Sequence, residues 1–296
     1  MTDLFLKVIN LSYAASFLIL ACIMVRFIFR GMPKYMRCFL WILVAARLVI
    51  PFSIESPLSV LPTRDLVSYK SDSAEVNSEG YSNFLINAPD EKNVSLLAFI
   101  WMTGVMAILI YGIVMYIRLS RYVRDAVRLC DNVYQTDKIV SPFILGIIKP
   151  RIYIPCDISL KDQFFVLKHE RVHIARKDHL IKPAAFVLTA FYWFNPLLWV
   201  AYVLLCRDIE LACDEKVISL IGYNKKKEYS QAILNLSMPR NYISACPVAF
   251  GETGVKERIS SVLNMKKSKK IVIAAAVVLI AAVGIGFLTF PKKSVP

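Results

Sequence analysis

The chain consists of long apolar runs separated by shorter polar ones. Four runs are long enough to cross the hydrocarbon core of a bilayer, which takes about 20 helical residues at a rise of about 1.5 Å each. They cover residues 5–25, 37–53, 95–117 and 271–290. Runs of this length predict transmembrane helices, so we expect a mainly α-helical, polytopic membrane protein with four transmembrane helices.

A fifth apolar run, residues 183–206, differs from the others because Asn195-Pro196 lies at its middle. A proline pushes the preceding residue out of the helical conformation and therefore predicts a break. The two halves, 184–194 and 197–206, reach about 15–17 Å each, which is too little to cross a bilayer core. We expect an apolar helical hairpin that returns to the side on which it began. A buried hairpin of an ordinary soluble domain fits the same pattern.

Charges beside the apolar runs predict the orientation, because lysine and arginine accumulate on the cytoplasmic side of membrane proteins. Residues 54–94 hold seven acidic and three basic residues and are expected outside. Three basic clusters are expected in the cytoplasm: Arg26, Arg30, Lys34 and Arg37; Arg118, Arg121, Arg124 and Arg128; and Lys266, Lys267, Lys269 and Lys270. Both termini are then expected outside, although Lys292 and Lys293 in the tail favour the opposite side.

Composition agrees with a plasma-membrane protein: 57% of the residues are hydrophobic and the mean hydropathy is +0.53. Much of the formal net charge of +14 lies next to the apolar runs, so the bilayer is the expected partner and direct nucleic-acid binding is not expected. The seven cysteines form no C-x-x-C pair and none lies in residues 54–94, which argues against a disulfide framework. Arg47, within the second run, either snorkels to the outer surface or relays a signal.

These observations divide the chain into consecutive segments. They are a transmembrane hairpin (1–53), an extracytoplasmic loop (54–94), a third transmembrane helix (95–117), a domain with the candidate chemistry (118–265), a fourth transmembrane helix (266–290) and a tail (291–296). Within 118–265 the pattern predicts helices over 119–135, 161–181 and 203–220, and two short strands between 139 and 155. Those strands either offer an edge to an extended peptide or form a small structural hairpin.

Two of the three histidines lie in the sequence His169-Glu170-Arg171-Val172-His173. Residues four apart share one face of a helix, so both imidazoles can reach one metal ion. Glu170 then lies beside that ion. This is the arrangement of a zinc peptidase, in which Zn²⁺ lowers the pKa of a water molecule to about 7 and a carboxylate accepts its proton. The sequence therefore predicts His169 and His173 as metal ligands and Glu170 as the general base.

A third ligand is expected downstream, where Glu210 and Asp214 lie four residues apart at the end of the fifth apolar run. A glutamate ligand, followed one turn later by an aspartate that holds a ligating histidine, is the arrangement of a thermolysin-type site. Asp208 and Glu215 are alternatives to Glu210, but neither has a carboxylate one turn further on. Cys213 is interpreted as a core residue.

The residues together resemble the BlaR/MecR type of membrane metallopeptidase. Besides His-Glu-Arg-Val-His and Glu-Leu-Ala-Cys-Asp, the resemblance includes Ser141-Pro142-Phe143, Lys149-Pro150-Arg151-Ile152-Tyr153 and Asn195-Pro196-Leu197, and it covers residues 4–290. It implies a cytoplasm-facing, gluzincin-like α+β metallopeptidase domain. His169, His173 and Glu210 would bind zinc, Glu170 would be the base and Asp214 would support a ligand. It also implies regulated signalling, in which loss of a cytoplasmic transcriptional repressor switches on resistance genes.

The sequence departs from the full-length sensors of that family, because six residues follow the last apolar run and no S-x-x-K motif occurs. We therefore expect no penicillin-binding sensor domain, and a stimulus that enters through residues 54–94, the membrane or a separate sensor partner. A homodimer is compatible with this scheme. Alternatives to signalling are a quality-control membrane protease and a non-catalytic zinc receptor or scaffold. Candidates for stabilising the oxyanion are Tyr192, Tyr202, His179 and Arg207, with His179 otherwise a surface residue beside Asp178.

Overall fold

The structure is a computed structural model that describes residues 2–29, 31–50, 54–55, 91–237, 251–266 and 270–290. It is mainly helical, with two small sheets. The helices are α1 (Thr2–Ile28), α2 (Lys34–Val49), α3 (Glu91–Tyr122), α4 (Leu160–Ala175), α5 (Asp178–Phe191), α6 (Pro196–Ile221), α7 (Lys226–Ser237), α8 (Gly251–Leu263) and α9 (Lys270–Leu288). The strands are β1 (Ile54–Glu55), β2 (Val127–Cys130), β3 (Val133–Thr136), β4 (Phe143–Leu145), β5 (Arg151–Pro155) and β6 (Thr289–Phe290).

Within the described residues, three helices are long and apolar enough to cross a membrane: Thr2–Ile28, Val94–Tyr122 and Lys270–Phe287. They correspond to the first, third and fourth predicted spans. Helix α2 covers the second, but its 16 residues reach only about 24 Å, less than the roughly 30 Å of a bilayer core. The fourfold crossing therefore stays a prediction, and most of the predicted loop 54–94 lies outside the described residues. Only the two ends of this loop are described. At one end β1 pairs in parallel with β6, and at the other α3 begins at Glu91.

The break predicted at Asn195-Pro196 is present, since α5 ends at Phe191 and α6 begins at Pro196. The Asn195 side-chain oxygen accepts a hydrogen bond from the backbone N–H of Leu197 at 2.9 Å and so caps α6. Its amide nitrogen donates to the hydroxyls of Ser12 at 2.8 Å and Ser16 at 2.9 Å. The tip of the hairpin is thereby bound to the middle of α1, and α6 continues past residue 206 to Ile221.

The hairpin also packs closely against α3. The Trp101 indole donates to the carbonyl oxygen of Phe191 at 2.8 Å, and the Trp193 indole donates to the carbonyl oxygen of Trp101 at 3.2 Å. Gly104 lies directly against the Trp193 ring. A side chain at Gly104 would collide with that ring, so glycine permits the close approach of the two elements.

After α3 the chain forms a four-stranded sheet in the order β2-β3-β5-β4. The two strands predicted between residues 139 and 155 are confirmed as β4 and β5, which pair antiparallel. The helix predicted over 119–135 is wrong beyond Tyr122, because Val127–Cys130 and Val133–Thr136 form an antiparallel pair instead. The tight turn between these two strands places Asp131 at φ 40°, in the left-handed region.

The helix predicted over 161–181 is also wrong as a single element. Lys177 adopts a left-handed conformation with φ 61°, so the chain turns after α4 and restarts as α5 at Asp178. This turn brings the first residues of α5 back beside the last turn of α4. Ser159 begins α4 by accepting a hydrogen bond from the backbone N–H of Asp162 at 3.1 Å.

A buried apolar cluster holds α4, α6, α7 and α8 together. Its members include Phe165 and Val172 of α4, Cys213 and Val217 of α6, Tyr229 and Ile233 of α7, and Val262 of α8. The sheet packs on the other side of α4, where Val166 contacts Val133, Ile152 and Ile154. Helix α4 is therefore fixed on two sides, and side chains on its remaining face have defined positions.

Two acidic residues connect α6 to α1 and α2. The Asp208 carboxylate, fully buried, accepts hydrogen bonds from Arg26 at 3.1 Å and from the Trp41 indole at 2.9 Å. The Glu215 carboxylate accepts from the backbone N–H of Lys34 at 2.8 Å, at the start of α2. Arg47, for which two sequence interpretations remained, is 3% exposed within α2.

Candidate metal centre

His169 and His173 lie one turn apart on the face of α4 that points towards α6. Both side chains are buried, and their Nε2 atoms are 3.0 Å apart with the two rings nearly perpendicular. The i, i+4 spacing on a helix fixed by packing produces this approach. Two imidazole nitrogens at this distance are positioned to bind the same metal ion.

Glu210 completes a triangle of donor groups, because its carboxylate faces each imidazole with a different oxygen. Its Oε2 lies 3.4 Å from Nε2 of His169, and its Oε1 lies 3.4 Å from Nε2 of His173. Zinc binds nitrogen and oxygen at about 2.0–2.1 Å, so two ligands of a tetrahedral ion are separated by about 3.3 Å. The spacings in the triangle match this value, and the donor set of two imidazoles and one carboxylate fits zinc.

The two alternatives to Glu210 are directed elsewhere. Asp208 is occupied by Arg26 and Trp41, and Glu215 by the start of α2. Along α6 these residues lie two positions before and five positions after Glu210, on other faces of the helix. The structure therefore brings Glu210, of the three acidic candidates, to the histidines.

Hydrogen bonds on the far side of each ring set the tautomers. Nδ1 of His173 lies 2.7 Å from the Asp178 carboxylate, which can only accept, so Nδ1 carries the proton. The Tyr229 hydroxyl donates to Asp214 at 2.7 Å and lies 2.8 Å from Nδ1 of His169. Since its proton goes to Asp214, it accepts from Nδ1 of His169. With both Nδ1 atoms carrying protons, Nε2 is the nitrogen of each neutral imidazole that can bind a metal.

Asp214 and Asp178 contact the two histidines differently from the sequence prediction. The nearest Asp214 oxygen is 3.4 Å from Nδ1 of His169, with the Tyr229 hydroxyl closer to that nitrogen. Asp214 therefore acts on His169 mainly through Tyr229. Asp178, expected beside His179, is the partner of His173 instead because the turn at Lys177 brings the start of α5 back towards α4.

Cys213 offers a second donor set. Its sulfur and one ring nitrogen from each of His169 and His173 lie within 4.8 Å of one another, close enough to hold one metal ion. The sulfur lies 3.5 Å from Nδ1 of His169, whereas Glu210 approaches Nε2 of the same ring. The two sets therefore use opposite nitrogens of His169. Cys213 also belongs to the apolar cluster around α4, as the sequence interpretation expects.

Two cations border the triangle. The Lys182 ammonium donates to Oε1 of Glu210 at 2.8 Å, and Arg258 Nη1 lies 3.4 Å from Oε2. Burial alone would raise the pKa of Glu210, but the charges of Lys182, His173 and Arg258 outweigh burial and hold the pKa well below its usual range. Glu210 is therefore ionised at neutral pH, the state in which a carboxylate binds metal.

A cavity of about 380 Å³ opens in front of the triangle. Glu170, buried to 8% exposure, lines it beside both histidines, as do His179 of α5, Arg258 of α8 and Ile144 of β4. The cavity places a carboxylate, a metal-binding triangle and apolar side chains around one space of peptide size. It can therefore hold an extended chain segment against the proposed metal position.

A family model described as BlaR1 peptidase M56 matches residues 6–262 of the chain. The chain belongs to this family. The regulatory protein BlaR1 of Bacillus licheniformis is 29% identical over 152 residues, which cover 49% of this chain and 25% of that protein. The methicillin resistance mecR1 protein of Staphylococcus aureus is 21% identical over 260 residues, 74% of this chain and 44% of that protein. The same figures hold for the mecR1 protein of Staphylococcus epidermidis.

The resemblance read from the sequence is therefore confirmed: the chain is a membrane metallopeptidase of the BlaR/MecR type. Membership in a metallopeptidase family agrees with a metal at the histidine pair. The chain spans less than half the length of these curated relatives.

Three residues of this M56 peptidase site have no counterpart in the sequence motifs. Tyr229, Arg258 and Lys182 reach the triangle from α7, α8 and α5, and no spacing rule connects them to His169. A weak signal existed for Lys182, a charge one residue before a long apolar run. Tyr229 and Arg258 carried none, because their roles arise from how α7 and α8 pack.

Of the four residues expected to stabilise an oxyanion, His179 lines the cavity of the M56 peptidase site. Tyr192 donates its hydroxyl to the carbonyl oxygen of Leu48 at 2.8 Å, in the membrane bundle. The Tyr202 ring packs near Phe186. Arg207 forms an ion pair with Glu257.

Proposed function

We propose that this M56 peptidase is a zinc endopeptidase of gluzincin type, with His169, His173 and Glu210 as ligands. The observation that carries the proposal is the approach of three donor groups: the two Nε2 atoms are 3.0 Å apart, and the Glu210 carboxylate faces each of them with one oxygen at 3.4 Å. Cys213 lies 3.5 Å from Nδ1 of His169, the nitrogen that faces Tyr229, so the Glu210 set is the better fit to zinc.

The residues of the site divide the work of peptide hydrolysis. Zinc, when bound, lowers the pKa of a water molecule and polarises a carbonyl group. Glu170 accepts a proton from the attacking water as a carbon–oxygen bond forms at the scissile carbonyl. It then transfers that proton to the amide nitrogen as the carbon–nitrogen bond breaks. Asp178 and, through Tyr229, Asp214 hold the two imidazoles in the required orientation.

The substrate is proposed to be a protein segment bound as an extended strand. Strand β4 is at an edge of the four-stranded sheet, where β5 is its neighbour among the described strands. Phe143 and Ile144 of β4 line the cavity together with Ser141. A peptide can add to the open edge through backbone hydrogen bonds, with its side chains alternating into the cavity and out of it.

The site is proposed to face the cytoplasm and to act in signalling. The basic clusters beside α1, α3 and α9 support this side, and the hairpin of α5 and α6 lets His169 and Glu210 share one side of the membrane. We propose the same domain borders as the sequence predicts, with four crossings including α2 and with both termini outside. By analogy with the BlaR1 and mecR1 proteins, the substrate is a cytoplasmic transcriptional repressor in an antibiotic or cell-envelope response.

Replacing Glu170 by glutamine tests this proposal. Glu170→Gln should retain one zinc per chain and lose cleavage of a co-expressed repressor, whereas Glu210→Ala should lose zinc as well. Glu228→Gln, at an exposed ion pair with Lys161, is the matched control and should leave both properties intact. Cleavage that survives in Glu170→Gln, or zinc that survives in Glu210→Ala, would contradict the proposal.

A further inference from the structure

Arg258 is held rigidly by Asp214. Its Nε donates to one Asp214 oxygen at 2.9 Å and its Nη2 to the other at 2.8 Å. Such a two-point contact fixes both the position and the plane of the guanidinium. Asp214 is itself fully buried on α6, and Val262, one turn further along α8, lies in the apolar cluster. The arginine is therefore part of the framework around the metal centre.

The other side of the guanidinium faces the donor triangle. Nη2 lies 3.3 Å from Nε2 of His169 and Nη1 lies 3.4 Å from Oε2 of Glu210. The group thus lies across the edge of the triangle formed by those two ligand atoms, and it lines the cavity shared with Glu170. A positive charge at this edge repels a metal dication. If Arg258 served only to hold Asp214, it would not need to lie at this edge of the triangle.

The guanidinium also has hydrogen-bond donors to spare. Of its five N–H groups, two are taken by Asp214 and a third, on Nη2, faces Nε2 of His169 at 3.3 Å, which leaves the two on Nη1, beside Oε2 of Glu210. The Tyr229 hydroxyl is saturated by Asp214 and His169, and Lys182 is already bonded to Glu210. Among the described residues that line the cavity, Arg258 combines a fixed position, a charge and free donors next to the triangle.

We infer that Arg258 donates a hydrogen bond to the carbonyl oxygen of the peptide bond under hydrolysis and stabilises the negative charge that develops there. The inference rests on the proposed zinc peptidase function and names a catalytic residue for it. Donors placed in advance where charge develops contribute strongly to acyl-transfer reactions, and removal of one commonly costs about 10²–10³-fold. A tetrahedral anion in the substrate position should therefore bind through the same contact.

The test compares zinc-loaded wild type with Arg258→Gln and Arg258→Lys in detergent. The probe is phosphoryl-Leu-Trp, whose tetrahedral phosphoryl group resembles the developing anion, and its dissociation constant is measured beside the zinc dissociation constant of each variant. We expect Arg258→Gln to weaken phosphoryl-Leu-Trp binding by about 10²-fold or more, with zinc affinity changed less than about tenfold. Arg258→Lys, which keeps the charge, should recover part of the loss. Glu257→Gln, which breaks the neighbouring ion pair of α8 with Arg207, is the matched control and should bind both like wild type.

Each remaining result counts against a specific claim. Probe binding to Arg258→Gln within threefold of wild type overturns the inference, as does equal binding loss in Arg258→Lys and Arg258→Gln. A loss of zinc affinity as large as the loss of probe affinity also overturns it, because Arg258 would then act only by positioning the ligands. A wild type that binds zinc but no probe overturns the inference alone. A wild type that binds no zinc overturns the proposed function and the inference with it.

Discussion

The Tyr229 hydroxyl lies 2.8 Å from Nδ1 of His169 and transmits to that ring the charge of Asp214, to which it donates at 2.7 Å. A residue of α7 therefore decides which nitrogen of a motif histidine is free for metal. The aspartate that the motif pattern predicts as a direct partner acts through a phenol. The relationship gives the metal centre a supporting group outside both motifs.

Tyr229→Phe should weaken zinc binding while preserving the fold. The variant keeps the buried ring but removes the acceptor for Nδ1 of His169, and loss of such a supporting hydrogen bond typically costs about 10–100-fold in metal affinity. Competition with a fluorescent chelator measures the change. Tyr223→Phe, at the turn before α7, provides the control and should bind zinc like wild type. Unchanged zinc affinity in Tyr229→Phe would show that the phenol does not support the ligand.

Between pH 6.5 and 9 the metal-free form should lose stability as the pH rises, whereas the zinc-loaded form should not. Burial alone would lower the pKa of His169, but the Cys213 sulfur and the Glu210 carboxylate outweigh burial and raise the pKa to about 9. A raised folded-state pKa contributes stability that is present below the unfolded value of about 6.5 and is lost as pH rises towards 9. Zinc requires the neutral imidazole, so its binding strengthens over the same interval.

The thermal midpoint measured with zinc or with a chelator, between pH 6.5 and 9, checks this expectation. The gap between the two midpoints should widen with pH, and zinc addition near pH 7.5 should release protons into a weakly buffered solution. Glu210→Ala, which lacks one ligand, is the comparison and should show little gap at any pH. A gap that narrows with rising pH would contradict the predicted protonation of the histidine pair.

Asp208 should be a major determinant of stability although it lies outside the site. It is fully buried and accepts from Arg26 and the Trp41 indole, so Asp208→Ala leaves two donors without their acceptor. Breaking a buried ion pair in this way typically costs about 3–5 kcal/mol. The free energy of unfolding in mixed micelles, obtained by titration with denaturing detergent, measures the loss.

A paired replacement separates the ion pair from the packing. Arg26→Met with Asp208→Val removes both charges and puts apolar side chains of roughly similar size in their place, and such exchanges are often neutral or stabilising for buried pairs. The double variant should therefore regain most of the stability lost in Asp208→Ala. A double variant as unstable as Asp208→Ala would mean that the hydrogen bond from Trp41, and not the ion pair, holds α2 to α6.

The lengths of the apolar runs predicted the three long apolar helices, because apolar length is a local property of the sequence. The break at Asn195-Pro196 was predictable for the same reason, since proline acts on its immediate neighbour. By contrast, the helix predicted over 161–181 failed at Lys177, whose left-handed conformation no local signal required. That unforeseen turn matters for function, because it is what brings Asp178 to His173.

In the candidate site too, the sequence predicts the residues that are related by local spacing and not those that meet through tertiary packing. His169, Glu170 and His173 follow from one helical spacing, and Glu210 with Asp214 from another, so the sequence could name them. It could not assign Tyr229 or Arg258, which lie 60 and 89 residues from His169 and meet it through the packing of α7 and α8. Supporting contacts of this kind depend on tertiary structure, which motif spacing does not encode.

Gly104→Ala should destabilise the packing of the hairpin against α3. A Cβ at this position would come within 2.7 Å of three indole atoms of Trp193. The Trp193 ring cannot move away freely, because its indole N–H donates to the carbonyl oxygen of Trp101. The backbone carbonyl oxygen of Trp193 also accepts a hydrogen bond from the Trp199 indole. Insertion of a methyl group into packing this tight typically costs about 1–3 kcal/mol, which detergent titration of the free energy of unfolding can detect.

Gly254→Ala is the matched comparison, since a Cβ there meets nothing within 4 Å and the position lies within α8. It should stabilise the protein by about 0.5–1 kcal/mol through helix propensity alone. Trp193→Leu removes the ring that the new methyl group would strike, so the double variant Gly104→Ala, Trp193→Leu should lose less than the sum of the two single losses. Strictly additive losses would place the strain of Gly104→Ala somewhere other than the contact with Trp193.

The same pair of variants can be compared for zinc binding. The hairpin carries Lys182 on α5 and Glu210 on α6, so a Gly104→Ala change that displaces the tip of the hairpin should weaken zinc binding, and Gly254→Ala should not.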